Sequence, residues 1–236
     1  MTIIPFRPKQ DLHLKVFGHH QNLKTEDQHY YQLAYESWKQ VWLEVQKNEM
    51  GIASGHFYSD DFTRQDHIIS LFDKKKCIGV AFMREINPHI KCITEDSSLR
   101  FWPYLLDLLP TTQSKIIMAT SFSITPAYRK GEIEWKTLFL SLYLDYFSLL
   151  EANIMITAAR KVKSNEKLCY QLGGEVLKKN VPFTTKSGDY IENEIADLLF
   201  WTKKNISLSN RFLQNLRQEI WLSYIKETSY VELISA

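Results

Sequence analysis

The chain has 236 residues, of which 44% are hydrophobic and 24% charged, and its formal charge is +2 at pH 7. That is ordinary globular usage, with enough apolar material for a full core and no long stretch suited to disorder. So small a net charge argues against nucleic-acid or anionic-membrane partners, which require a concentrated basic face or stripe.

The first residues, 1–24, contain Pro5, Pro8 and Gly18 and no sustained period, so they read as an arm. They also lack the charged start and sustained apolar run of a secretory signal, which together with the cysteines points to the cytoplasm. A helix begins near Thr25 or Asp27; Leu33, Trp38, Val41, Trp42 and Val45 mark its apolar face, and Met50-Gly51 to Gly55 ends it. His67 to Phe72 and Cys77 to Met83 read as antiparallel strands joined by the polar turn Asp73-Lys74-Lys75-Lys76. Leu99 to Leu109 reads as helix, with Pro103 confined to its first turn because a later proline loses a backbone bond.

Ile116 to Ile124 is a nearly continuous apolar run at its start, as in a strand covered on both faces. Ile133 to Glu151 is a helix apolar almost all round, and therefore buried. Ile154 to Ala158 is a further strand, and Ser164 is placed to cap the helix opened by Asn165-Glu166. Strands near Glu175 to Lys178 and Ile195 to Thr202 flank a polar loop at Lys186-Ser187-Gly188-Asp189. An amphipathic helix from Ser209 to Lys226 follows. The span Leu138 to Leu150 is too short for a bilayer and is interrupted by Asp145. The alternation predicts an α/β or α+β fold on a single sheet: an arm at 1–24, a main domain at 25–205 and a C-terminal helical extension at 206–236.

Cys77, Cys92 and Cys169 share no C-x-x-C spacing, which argues against a zinc site and a disulfide framework. None of the seven histidines forms the i, i+4 pair of a helical metal site, so no metal is expected. The informative stretch is Phe122-Ser123-Ile124-Thr125-Pro126-Ala127-Tyr128-Arg129-Lys130-Gly131, leading from strand to long helix. A second strand follows, then a short helix ending at Leu172-Gly173-Gly174.

That order resembles the acyl-coenzyme-A-binding half of the GCN5-related N-acetyltransferase superfamily, whose strand ends in Val-x-Pro-x-Tyr-Arg before a phosphate-binding turn. The resemblance implies a mixed, mostly antiparallel central sheet flanked by helices, with a C-terminal helix. It also implies an N-acyltransferase that moves an acyl group from a pantetheine thioester to an amine of a small molecule or amino acid. Phe122, Ser123 and Ile124 would pair with the pantetheine amides, and a backbone N–H there would polarise the thioester carbonyl. Arg129, Lys130 and Gly131 would hold the phosphate at a helix N-terminus, and Asn165 would contact the pantetheine arm.

In the superfamily a tyrosine four residues before the closing glycine protonates the leaving thiolate. Counting from Gly173 gives Cys169, and counting from Gly174 gives Tyr170, which is the residue chemically suited to that role. Glu132, Glu134, Asp60, Asp61 and His67 are candidate bases, with Glu134 the one assigned; a carboxylate base needs burial to raise its pKa.

The phosphate turn departs from the superfamily pattern. Gly131 stands one place early, and Glu132 and Glu134 occupy positions where glycine and a small residue are expected. Carboxylates there repel a pyrophosphate, and their Cβ atoms hinder close backbone approach. Three readings stay open: coenzyme A bound by a displaced turn; an acyl carrier protein as donor, with a single phosphodiester; or a noncatalytic ligand- or partner-binding protein with a degenerate phosphate loop. The second is supported by a resemblance to N-acyl amino acid synthases and acyl-homoserine-lactone synthases, carried by Tyr31-Gln32-Leu33-Ala34-Tyr35-Glu36-Ser37-Trp38, Asp60-Asp61-Phe62 and His67-Ile68-Ile69-Ser70-Leu71. The Glu and Arg that the lactone branch places near Met118 and Ser121 are absent, which disfavours a quorum-signal synthase.

Overall fold

The computed structural model describes residues 11–49, 59–94, 99, 114–130, 133–184, 190–206 and 211–235. The helix expected at Leu99 to Leu109, apart from Leu99, and the loop at Lys186 to Asp189 lie outside them. Seven strands, β1 (Leu12–Phe17), β2 (His67–Asp73), β3 (Lys76–Ile86), β4 (Ile116–Ile124), β5 (Ile154–Arg160), β6 (Glu175–Thr184) and β7 (Tyr190–Thr202), form one sheet. Their order is β1-β2-β3-β4-β5-β7-β6. The helices are α1 (Thr25–Glu49), α2 (Asp60–Thr63), α3 (Lys91–Thr94), α4 (Trp135–Leu149), α5 (Asn165–Gln171) and α6 (Arg211–Ser235). The expected mostly antiparallel sheet with a C-terminal helix is present. No helix among the described residues is long and apolar enough to cross a membrane.

Contacts gather the chain into two compact units. The first comprises 1–81, 122–142 and 209–236; the second comprises 82–121 and 143–208.

In the first unit β1 pairs antiparallel with β2, from Leu12 opposite Asp73 to Phe17 opposite Ile68. Within the segment read as an arm, residues 12–17 are thus a strand. Leu12, Leu14 and Val16 alternate with His13 and Lys15, a period-2 signal five residues long, and pairing with the apolar β2 suffices to fix it. Phe62 of α2 is fully buried, with ring centroids 5.1 Å from Tyr31, 5.4 Å from Tyr35 and 5.6 Å from Trp38 of α1. Burying such a ring stabilises by roughly 1.5–3 kcal/mol, so the Asp60-Asp61-Phe62 stretch anchors α1. Gly79 of β3 lies tightly against β4: an added Cβ would sit 2.7 Å from the Ser123 carbonyl oxygen and 2.9 Å from the Phe139 ring. Helix α6 packs on β1 and runs to Ser235, past the expected end at Lys226. Thr228 lies in that continuation, its hydroxyl donating to the Tyr224 and Ile225 carbonyls at 3.0 Å.

In the second unit Ile86, Leu99, Ile116, Met118, Ile154, Ile156 and Leu198 form the core. β4 and β5 are parallel, β5 and β7 antiparallel over the whole of β5, and β6 lies beyond β7 as the edge. Lys178, Lys179 and Pro182 on β6 are the residues that discourage edge-to-edge pairing. Helix α5 does not take the expected cap: Ser164 has φ 56°, the left-handed region, and its side chain makes no capping bond. Capping needs an extended backbone at that position, and the preceding 3-10 turn, Val162–Ser164, does not leave one.

Candidate functional site

The end of β4 and its turn belong to the first unit. The Phe122 ring stacks on Phe139 at 5.2 Å. Ser123 is buried and its hydroxyl donates to the Val80 carbonyl at 3.0 Å, so the side chain serves the neighbouring strand. Thr125 donates through its N–H to the Ile78 carbonyl at 2.9 Å and through its hydroxyl to Cys77 at 3.1 Å. The following 3-10 turn, Pro126–Tyr128, is fixed by Tyr128, whose hydroxyl donates to Asp73 at 3.2 Å and whose ring meets Trp135 edge-on. Burial and the Asp73 charge push the Tyr128 hydroxyl up to about 12, so it keeps its proton.

Arg129 is exposed yet engaged. Its Nε donates to the Ile124 carbonyl at 3.0 Å, and its guanidinium pairs with Glu44 at 3.2 Å. Lys130 is exposed, while Gly131 and Glu132 lie outside the described residues. Glu134 is exposed, and its carbonyl accepts the Leu138 N–H at 3.0 Å as α4 begins. The burial that a carboxylate base requires is therefore not met at Glu134. Of the other candidates, Asp60 is exposed, Asp61 pairs with Arg64 at 3.2 Å, and His67 is half-buried.

The second unit holds two further features. First, the ladder of β4 with β5 covers Ile116 to Met118 opposite Ile154 to Ile156, although β4 continues to Ile124 and β5 to Arg160. One step on, the Ala119 carbonyl is bonded by the Thr157 hydroxyl at 3.0 Å, and Ser121 has φ 53°. A left-handed residue inside a strand re-aims it as a bulge does.

Second, a polar cluster surrounds Asp197, which is 1% exposed within the buried stretch of Ala196, Leu198 and Leu199 in β7. The Tyr170 hydroxyl donates to its Oδ2. The Asn180 N–H donates to its Oδ1 at 2.8 Å, and Lys161 Nζ lies 3.3 Å from the same oxygen and donates to the Asn180 side chain at 2.5 Å. Asn180 reaches Asp197 because β6 shifts register on both sides of it and it adopts φ 58°. Burial acts to raise the Asp197 carboxyl, but the bonds from Tyr170, Asn180 and Lys161 outweigh it and hold the group below its ordinary value. Tyr170 is raised well above its ordinary value, by burial first and by Asp197 second. Its hydroxyl proton is donated to the Asp197 carboxylate, so giving it to a thiolate requires that bond to open.

Helix α5 ends in a Schellman turn: the Gly173 N–H donates to Tyr170 at 3.0 Å and the Gly174 N–H to Cys169 at 2.9 Å. The closing glycine is thus Gly173, with Cys169, a buried thiol, four residues before it. Tyr170 carries the hydroxyl in the cluster, and Asn165, half-buried, opens the same helix. Sequence reasoning missed Asp197, Lys161 and Asn180. The available signal was a lone carboxylate inside Ile195-Ala196-Asp197-Leu198-Leu199, where a buried charge needs partners.

The shift of Asp197 sets a pH dependence. A lowered carboxyl contributes stability that is present above its ordinary value and lost as pH falls through the lowered one. Asp197→Asn should therefore cost about 2 kcal/mol at pH 7, and wild type and variant should converge in acid. Urea titrations at pH 7 and pH 3 measure this, and a gap that stays constant between them would contradict it.

No family model matches the sequence, and no curated protein matches it. Solved structures do. Arylalkylamine N-acetyltransferase 2 from Aedes aegypti superposes with a TM-score of 0.56 at 12% identity, over 80% of this chain and 99% of that one. FeeM, an N-acyl amino acid synthase from uncultured soil microbes, gives 0.51 at 9% identity over 82% and 90%. An agmatine N-acetyltransferase gives 0.51 at 10% over 81% and 99%. The chain has the GCN5-related N-acetyltransferase fold, in agreement with the sequence resemblance.

Proposed function

We propose that the protein is an N-acyltransferase that transfers an acyl group from a pantetheine thioester to the amine of a small molecule or amino acid. The observation that carries this reading is the end of the β4–β5 ladder at Met118 opposite Ile156, with Ser121 in the left-handed region, because an acylated pantetheine arm needs unpaired strand groups to bond. Asn165 and Tyr170 on α5 supply polar contacts for the arm and the reacting centre. Phe122 to Ile124 continue β4 toward the phosphate turn of Arg129, Lys130 and Gly131.

Charge at that turn favours acyl carrier protein over coenzyme A as the donor. Arg129 is shared with Glu44 and the Ile124 carbonyl, and the exposed Glu134 adds negative charge nearby in sequence. A single phosphodiester is repelled less than a pyrophosphate. The cell compartment that fits such a donor is the cytoplasm.

The test is amide formation read by mass spectrometry, with acyl-coenzyme A and acylated carrier protein offered separately against a panel of primary amines. Product from the carrier donor at a rate at least about tenfold above that from coenzyme A is expected, a factor worth about 1.4 kcal/mol. The reverse order would overturn the donor assignment, and no product from either would overturn the enzyme.

A further inference from the structure

Glu166, in the first turn of α5, is 8% exposed, and its Oε2 is fully enclosed with no hydrogen-bond partner among the described residues. A buried carboxylate is ordinarily paired, since an uncompensated charge in a protein interior is costly. Tyr170 lies four residues on, the spacing that puts two side chains on one helix face, and the Glu166 charge acts on its hydroxyl. Because the Tyr170 proton points to Asp197, its oxygen offers lone pairs to any other partner. The charge of Asp197 is answered by Lys161 and the Asn180 N–H, whereas no hydrogen-bond donor among the described residues reaches Glu166 Oε2. The pair thus presents acceptors and one negative charge, and its complement is a cation carrying several N–H donors.

We propose that Glu166 and Tyr170 form the receiving site for a primary alkylammonium, the protonated form of the acyl acceptor. This rests on the acyltransferase reading. The ammonium gives one proton to the Glu166 carboxylate, leaving a neutral amine and a carboxylic acid. The amine lone pair forms the C–N bond at the thioester carbonyl, and the C–S bond breaks. The second nitrogen proton goes to the departing sulfur, and Glu166 returns its proton to solvent.

The test is thermal denaturation with n-butylammonium chloride, against sodium chloride at equal ionic strength. Butylammonium should raise the wild-type midpoint with a saturating dependence. Glu166→Gln should bind at least about tenfold more weakly, and Glu166→Asp should recover part of the loss. Ligand-free Glu166→Gln should melt no lower than wild type, since the change removes a buried charge. Equal responses in wild type and Glu166→Gln, or no response in wild type, would overturn the proposal. A ligand-free midpoint that falls in Glu166→Gln would also overturn it, by marking the carboxylate as structural. None of these readouts uses an acyl donor, so ammonium binding without acyl transfer would remove the acyltransferase reading alone.

Discussion

Replacing Tyr170 by Phe should lower kcat/KM for acyl transfer about 100-fold while leaving donor affinity within about twofold of wild type. The hydroxyl is held on a buried carboxylate and faces Glu166 along the same helix. Its loss removes a charge-assisted hydrogen bond worth about 1.5–3 kcal/mol and the acceptor that orients the incoming nitrogen. Because Asp197 Oδ1 keeps Lys161 and the Asn180 N–H, only Oδ2 loses its donor and the fold should persist. Steady-state kinetics with donor and amine varied in turn separate the two effects. A loss confined to donor affinity would place Tyr170 against the thioester arm instead.

Gly173→Ala should destabilise the protein by about 3 kcal/mol or more, lowering the midpoint by roughly 6–12 °C for a chain of this size. Gly173 has φ 87°, and a Cβ there would stand 1.6 Å from the Asn205 carbonyl oxygen, inside the contact distance of any pair of heavy atoms. The chain after β7 must therefore move, or the Schellman turn must open, and either change displaces the helix that carries Asn165 and Tyr170. Circular dichroism melting reads the effect. A loss below about 1 kcal/mol would mean that the Asn205 segment yields freely, and α5 would then be less firmly placed than the turn implies.

Local pattern carried most of the fold. The β-branched run of β4, the all-round apolar α4 and the Asp73 to Lys76 turn each declare themselves within a dozen residues. β1 did not, because five alternating residues between a Pro-containing start and Gly18 are too few to outweigh the surrounding loop signals. The Asp197 cluster was harder still. It depends on the antiparallel register of β5 with β7 and on register shifts in β6 that turn Asn180 onto a side chain, and neither is written in the spacing of residues. Ser164 shows the opposite failure. A suitable residue type stood at the helix start, but the entering turn set its backbone outside the capping conformation.

The central claim is that the folded chain binds an acylated pantetheine. Its most direct test is the thermal midpoint with an acylated carrier protein, or an acyl-phosphopantetheine, at about 100 times the dissociation constant. Binding to the folded state alone should then add about 2.7 kcal/mol and raise the midpoint by roughly 5–11 °C. A midpoint unchanged by the carrier-borne donor, by free acyl-phosphopantetheine and by acyl-coenzyme A alike would contradict the account.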